Sequence, residues 1–117
     1  LTVVAVDRAV DGERIVGTAK MGPNRAGPGA HVSTASFMVA ATDRGRGVGT
    51  ALLTFALSWA RRGGYAGMQF NAVVESNRSA VELYRRHGFD VIGTVPRAFT
   101  HPVLGRVGLS LMYHEFV

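Results

Sequence analysis

Cysteine is absent from this chain, which removes disulfides, thiolate nucleophiles and cysteine-ligated metals together. A reducing cytoplasm is compatible with that absence, and a cytoplasmic location with no metal is the expectation. Acidic residues are few: eight Asp and Glu stand against thirteen Lys and Arg, leaving a net charge of +5 at pH 7. Such a balance favours anionic partners. The arginines are spread along the chain, however, and the pairs Arg61-Arg62 and Arg85-Arg86 fall at expected helix C-termini, where they complement the dipole. No nucleic-acid partner is therefore expected. Long apolar runs are missing as well: nothing approaches the roughly 20 residues that span a bilayer, so no membrane partner is expected either. Residues 1–6 are apolar, but too short and without a preceding positive segment to be a signal peptide. An initiator methionine is also lacking, which points to a true N-terminus upstream. What remains is 117 residues of ordinary globular composition, 47% hydrophobic and 18% charged, enough for one domain that buries about two thirds of its extended surface.

Glycine, by contrast, concentrates where the chain changes character. Residues 37–53 read as a strand, a glycine-rich turn and a helix. Gly45, Gly47 and Gly49 take positive φ freely and let backbone approach a ligand closely. Gly47 and Gly49 would open a helix whose first N–H groups have no internal partner and point outward at the positive end of the dipole. That is an anion site, flanked by Arg44 and Arg46, and a phosphate fits it. A P-loop is excluded because no Gly-Lys pair exists in the chain. A dinucleotide fingerprint fits poorly, since the spacing is G-x-G-x-G and a second mononucleotide-binding half is lacking, although Glu75 sits where a ribose-binding acid could lie. A turn serving only chain reversal is the plain alternative.

The rest of the chain alternates in a readable way. Residues 1–6 and 14–21 form an expected antiparallel hairpin turning at Asp11-Gly12, and residues 22–29 are dense enough in turn formers to be a loop. Residues 31–39 read as a strand with Ser33, Ala35, Phe37 and Val39 on one face. In the helix after the glycines, Val48, Ala51, Leu52, Phe55, Ala56, Trp59 and Ala60 follow the i, i+3, i+4 rule, which makes Trp59 a core residue. Gly63-Gly64 ends that helix. Residues 67–74 form a strand parallel to the one before the helix. Asn77 caps a second helix over 78–86 that Gly88 stops. Residues 89–95 and 106–116 read as two final antiparallel strands with a loop over 96–105 between them. Asn71, mid-strand, is expected to be buried and hydrogen-bonded.

Two spacings carry a resemblance to a known family. Arg44-x-x-Gly47-x-Gly49 resembles the Q/R-x-x-G-x-G/A signature by which the GNAT superfamily of N-acetyltransferases holds the pyrophosphate of coenzyme A. Asn77-x-x-Ala80-x-x-Leu83-Tyr84-x-x-x-Gly88-Phe89 resembles a second GNAT segment, in the right order behind the first. The resemblance implies an α/β fold with a mixed, mostly antiparallel central sheet, a splayed parallel strand pair and flanking helices; the strand and helices that usually precede Leu1 are missing. It also implies acetyl-CoA as co-substrate and an amine of a small molecule or amino acid as acceptor, attacking the thioester directly, and it leaves a homodimer open.

Residue by residue, the resemblance gives Met38 and Val39 the pantetheine and the polarised carbonyl. The turn of Arg44, Gly45, Arg46, Gly47, Val48, Gly49 and Thr50 receives the pyrophosphate, and Asn77 bonds pantetheine. Tyr84 protonates the departing sulfur. Glu75 is a candidate general base or a solvated acid at a helix N-terminus, with His31 and His101 behind it. The stretches at 31–39, 68–71 and 96–102 are similar to a GNAT subgroup that acetylates proline-analogue amino acids, in which the asparagine matching Asn71 faces acceptor and acetyl group. Thr34 stands where that subgroup has Asn.

Overall fold

The computed structural model describes residues 1–8 and 12–117; Asp11 of the expected hairpin turn lies outside the described residues. Six strands, β1 (Thr2–Asp7), β2 (Arg14–Pro23), β3 (Val32–Val39), β4 (Gly67–Val74), β5 (Asp90–His101) and β6 (Gly105–Glu115), form one sheet in the order β1-β2-β3-β4-β6-β5. Every neighbouring pair is antiparallel except β3 and β4, which are parallel and joined through helix α1 (Val48–Arg62). A parallel pair needs such a crossover. Helix α2 (Arg78–Arg86) links β4 to β5. This is the α/β fold expected from the family resemblance. No described helix is long and apolar enough to cross a membrane.

One core unites the layers. Ala19 and Met21 of β2, Met68 and Phe70 of β4 and Met112 of β6 meet Leu52, Leu53, Ala56, Leu57 and Ala60 of α1, with Val81, Leu83 and Tyr84 of α2 packed against them. Alternation along the strands leaves Val4 and Met38 exposed, the latter at 73%. Close approach between α1 and β2 depends on Gly17, where a Cβ would stand 2.8 Å from Val48 Cγ1 and 3.1 Å from the Met38 carbonyl. The buried stripe of α1 is rotated from the expected one: Leu53 and Leu57 are inside, and Phe55 is 41% exposed. Leu53 and Leu57 have the same helical spacing as Ala51 and Phe55, so periodicity alone does not choose between the stripes. Trp59 is half-buried against the core as expected, its ring 5.2 Å from that of Tyr65.

Two boundaries also shift. β2 runs on to Pro23, into the expected loop. β5 runs through the expected 96–105 loop to His101, with its register against β6 broken between Val95 and Phe99. Pro96 falls in that unpaired stretch of an edge strand, where its missing N–H costs no ladder bond. Arg97 beside it has φ 56°.

β3 and β4 stay together only at Val32–Gly67 and Ser33–Met68. The Ser33 hydroxyl donates to the Gly67 carbonyl at 2.8 Å and the Thr34 hydroxyl to the Gln69 carbonyl at 2.7 Å. Beyond that point the strands part, and the edge-to-face pair Phe37–Phe70, with centroids 5.9 Å apart, lies between them.

The turn after β3 is anchored by charge. Asp43 is 1% exposed, and its carboxylate accepts two bonds from Arg14 (2.8 and 2.9 Å), one from Arg46 (2.6 Å) and one from the Thr42 hydroxyl (3.2 Å). Arg46 also donates to Asp7 at 3.0 Å. The cluster ties the glycine turn to the ends of β1 and β2. Led by the Arg14 bonds and opposed by burial, it lowers the Asp43 carboxyl from 3.8 to about 2.

A carboxyl that titrates lower in the fold than in the unfolded chain stabilises fully above its unfolded value, and that stability is lost as pH falls through the folded one. Thermal melts of Asp43→Asn should therefore start below wild type at neutral pH and converge with it between about pH 4 and pH 2. Parallel curves over that window would show that this carboxylate carries no pH-linked stability.

Candidate active site

A cavity of about 670 Å³ opens where the glycine turn meets α2. Gly47 is the N-cap of α1, with φ 83° and ψ 7°, a left-handed conformation that suits a residue without Cβ. The first helical bond runs from Ala51 N–H to the Gly47 carbonyl at 3.0 Å, which leaves the N–H groups of Val48, Gly49 and Thr50 without a helical acceptor. No acidic side chain lies in that first turn. The helix end therefore presents its positive pole and three donors to the cavity. Nothing lies within 4 Å of where a Cβ would stand on Gly45 or Gly47, so the space before the donors is open.

Of the residues expected to hold a cofactor, Met38, Val39, Arg44, Gly45, Gly47, Val48, Gly49, Thr50, Asn77 and Tyr84 all line this cavity. Arg46 does not: its guanidinium is held by Asp43 and Asp7, away from the phosphate site where its side chain was expected. Arg86 stands in the lining instead, together with Ser79 and Leu83. Their spacing of four and then three residues along α2 puts them on one helix face, a signal available in the sequence but outweighed there by the reading of Arg86 as a helix-dipole partner. Asn77 caps α2, its Oδ1 accepting from Ala80 N–H at 3.3 Å and from the Ser79 hydroxyl at 3.1 Å.

A second cavity, of about 350 Å³, occupies the parted strands and is lined by Thr34, Ser36, Asn71 and Val74 among others. Phe37, Asn77, Ala80 and Tyr84 line both cavities, so Tyr84 stands where they join. Its ring packs 4.6 Å from Phe70 and 6.0 Å from Phe89, centroid to centroid. Burial in these aromatic surroundings raises the phenol pKa above 10.0, which keeps the proton on its oxygen through the neutral range.

The other expected groups are placed differently. Asn71 is exposed, not buried: β4 bulges away from β6 between Phe70 and Val73 and turns it outward. Its partners are side chains, with Gln69 Nε2 donating to its Oδ1 at 2.9 Å and its Nδ2 donating to Asn24 Oδ1 at 2.7 Å. Glu75 lines neither cavity; its Oε2 accepts from Gly108 N–H at 3.2 Å. His31 is exposed and outside both linings. His101 Nδ1 accepts from the N–H groups of Val103 and Leu104 (3.1 and 3.0 Å), closing the β5–β6 turn.

Comparison with known proteins agrees with this geometry. The family model described as the acetyltransferase (GNAT) family matches residues 2–89. A GCN5-related N-acetyltransferase from Kribbella flavida is 56% identical, with a TM-score of 0.93 over 98% of this chain and 67% of its own. A ribosomal-protein-alanine N-acetyltransferase from Brucella melitensis is 28% identical, with a TM-score of 0.81 over 98% and 68%. A putative acetyltransferase from Salmonella typhimurium, solved with its cofactor acetyl-CoA, is 25% identical, with a TM-score of 0.81 over 97% and 63%. The chain spans about two thirds of the length of these solved relatives. A family match over well more than half of the chain, joined to such identity with a solved member, places this protein in the acetyltransferase (GNAT) family, which draws its acetyl group from acetyl-CoA.

Proposed function

We propose that this chain binds acetyl-CoA in the larger cavity and transfers its acetyl group directly to the amine of a small molecule or amino acid entering from the parted strands. The position of Tyr84 at the junction of the two cavities is the observation that carries the reading. The free N–H groups of Val48, Gly49 and Thr50 suit a pyrophosphate, and Arg44 and Arg86 add the cations that a polyphosphorylated cofactor needs. The backbone of β3 beyond Ser33 has β2 on one side and no strand on the other, so its groups near Met38 and Val39 are available to pantetheine and to the thioester carbonyl. Asn77 keeps its amide N–H groups for the same ligand.

Tyr84 serves as hydrogen-bond donor to the leaving sulfur, which departs as the thiolate. With ordinary pKa values, transfer from a phenol near 10 to a thiol near 8.5 is uphill by about 2 kcal/mol, and burial of Tyr84 raises that further. Its contribution is thus a hydrogen bond that strengthens as negative charge grows on sulfur. Among the described residues the lining of the second cavity holds no Asp, Glu or His, which favours loss of the acceptor amine's proton to water before attack over a base on the protein.

Three outcomes follow for measurement. Gly49 is helical, and a Cβ there meets Leu83 and Val39 no closer than 3.9 Å, so Gly49→Val should keep the melting temperature within a few degrees while weakening acetyl-CoA binding by about tenfold or more in calorimetry. A collapsed fold with unchanged affinity per folded molecule would make the turn structural only. Tyr84→Phe should lower kcat by about 10²-fold with little change in acetyl-CoA affinity, and less with a donor whose thiol is more acidic; an unchanged kcat with chemistry rate-limiting assigns Tyr84 to packing. In pH profiles, the rising limb of kcat/KM for the acceptor should shift in position with the acceptor amine's own pKa across a series of amines. A limb fixed in position for every amine would instead identify an ionising base on the protein, Glu75 first.

A further inference from the structure

The last turn of α1 and the end of β6 meet in a cluster outside both cavity linings. Arg61 Nη2 lies 3.0 Å from His114 Nε2. A guanidinium only donates, so this ring nitrogen accepts, and the imidazole in the bond is neutral with its proton on Nδ1. The same guanidinium stands over the Phe116 ring, 4.7 Å from its centroid, and that ring meets the His114 ring edge to face at 5.2 Å. The three groups close a triangle that ties the C-terminal strand to α1. The other side of the imidazole is walled: Phe89 packs 5.5 Å from it, centroid to centroid, and a Cβ on Gly88 would stand 2.8 Å from its Cε1. β4 presents Met68 across the ladder, and His87 at the end of α2 is turned to the Leu83 carbonyl, 2.8 Å from its Nδ1. The His114 ring therefore has little room to turn away, whereas Arg61 is exposed. A proton on Nε2 would set donor against donor and cation against cation, and the guanidinium is the group free to leave. Burial, the largest influence, and then Arg61 lower the His114 pKa below 6.5, while Asp90 at the start of β5 favours the proton.

We propose that Arg61, His114 and Phe116 form a proton-operated latch: with His114 neutral the C-terminal strand is fastened to α1, and with His114 protonated Arg61 leaves and the fastening opens. Because Phe89 also stacks on Phe70 at 4.4 Å and packs 6.0 Å from Tyr84, the latch lies one ring away from Tyr84. The folded imidazole takes its proton at lower pH than the unfolded one, so the stability it lends is full above about pH 6.5 and is lost as pH falls below that value. Proton NMR and hydrogen exchange on the whole chain test this. The His114 ring resonance should titrate with a midpoint below 6.5, and the midpoint should rise in Arg61→Gln, which keeps a donor but no charge. Between about pH 7 and about pH 5 the protection factor of the Phe116 amide, which donates to the Ala66 carbonyl at 2.8 Å, should fall by about fivefold or more. Amides of β2, toward the opposite edge of the sheet, should change by less than about twofold. His114→Gln keeps an acceptor for Arg61 and removes the titration, so its Phe116 protection should be level over the same window. In Arg61→Gln, with no guanidinium to expel, Phe116 protection should be low and level as well, which carries the test should His114→Gln not fold. A His114 midpoint at or above 6.5, a midpoint that Arg61→Gln leaves in place, equal loss of protection at Phe116 and in β2, or a Phe116 loss that survives either substitution overturns the latch.

Discussion

The separation of β3 from β4 is the constraint on which the rest depends. Two parallel strands that pair for only two residues leave polar backbone on both flanks of a gap, a cost that a closed sheet never meets. Side chains offset part of it, with the Thr34 hydroxyl taking the Gln69 carbonyl where the next ladder bond would have been. Aromatic bulk holds the gap open: Phe37, Phe70, Tyr84 and Phe89 touch in series, with Phe70 and Phe89 stacked at 4.4 Å. Closing the strands would require moving rings that sit in the same close-packed core as α1 and β6. The core therefore enforces the opening between the strands.

The second requirement is that α1 aim its N-terminus at the larger cavity beside that opening. The approach of α1 to Gly17 sets its distance from the sheet, and the Asp43 carboxylate, held by Arg14 and Arg46, fixes the turn that leads into it. Arg44 and Arg46, two residues apart, are thereby divided between tasks, one lining the cavity and the other bound to aspartates. Sequence spacing makes them equivalent flanks of a phosphate site; only the partner thirty residues upstream, Arg14, and the buried Asp43 distinguish them.

That contrast explains what the sequence made legible. Alternation, capping residues and glycines are local signals, and they placed β4 over 67–74 and α2 over 78–86 without error. The residues that line the larger cavity were mostly legible for the same reason, since a helix N-terminus and a capping asparagine are properties of short segments. Long-range geometry was not. The burial expected of Asn71 assumed an unbroken strand, and the bulge that exposes it depends on pairing with β6, forty residues away. Glu75 was read from its neighbours in the chain, yet Gly108 takes its carboxylate. Arg86 was assigned to its own helix dipole because nothing local showed that the glycine turn would face it. The Pro96 segment failed for another reason: proline excludes a central strand, but edge position, which only topology supplies, admits it.

The distribution of charge across the two cavities has a consequence for catalysis. Cations and helix-end donors gather at one end of the larger cavity, while the junction at Tyr84 is walled by aromatic rings and the second cavity is uncharged. In the proposed reading, binding energy for an anionic cofactor would be available at that end of the larger cavity, where it would hold the thioester in place without stabilising the ground state of the bond that breaks. At the half-buried junction, the aromatic wall would strengthen a hydrogen bond made to developing charge relative to one in water. In the proposed role, the burial that makes Tyr84 a weaker acid would also make its hydrogen bond to a nascent thiolate stronger than one in water, so the aromatic wall that parts the strands would give this hydroxyl its preference for the transition state over the neutral thioester.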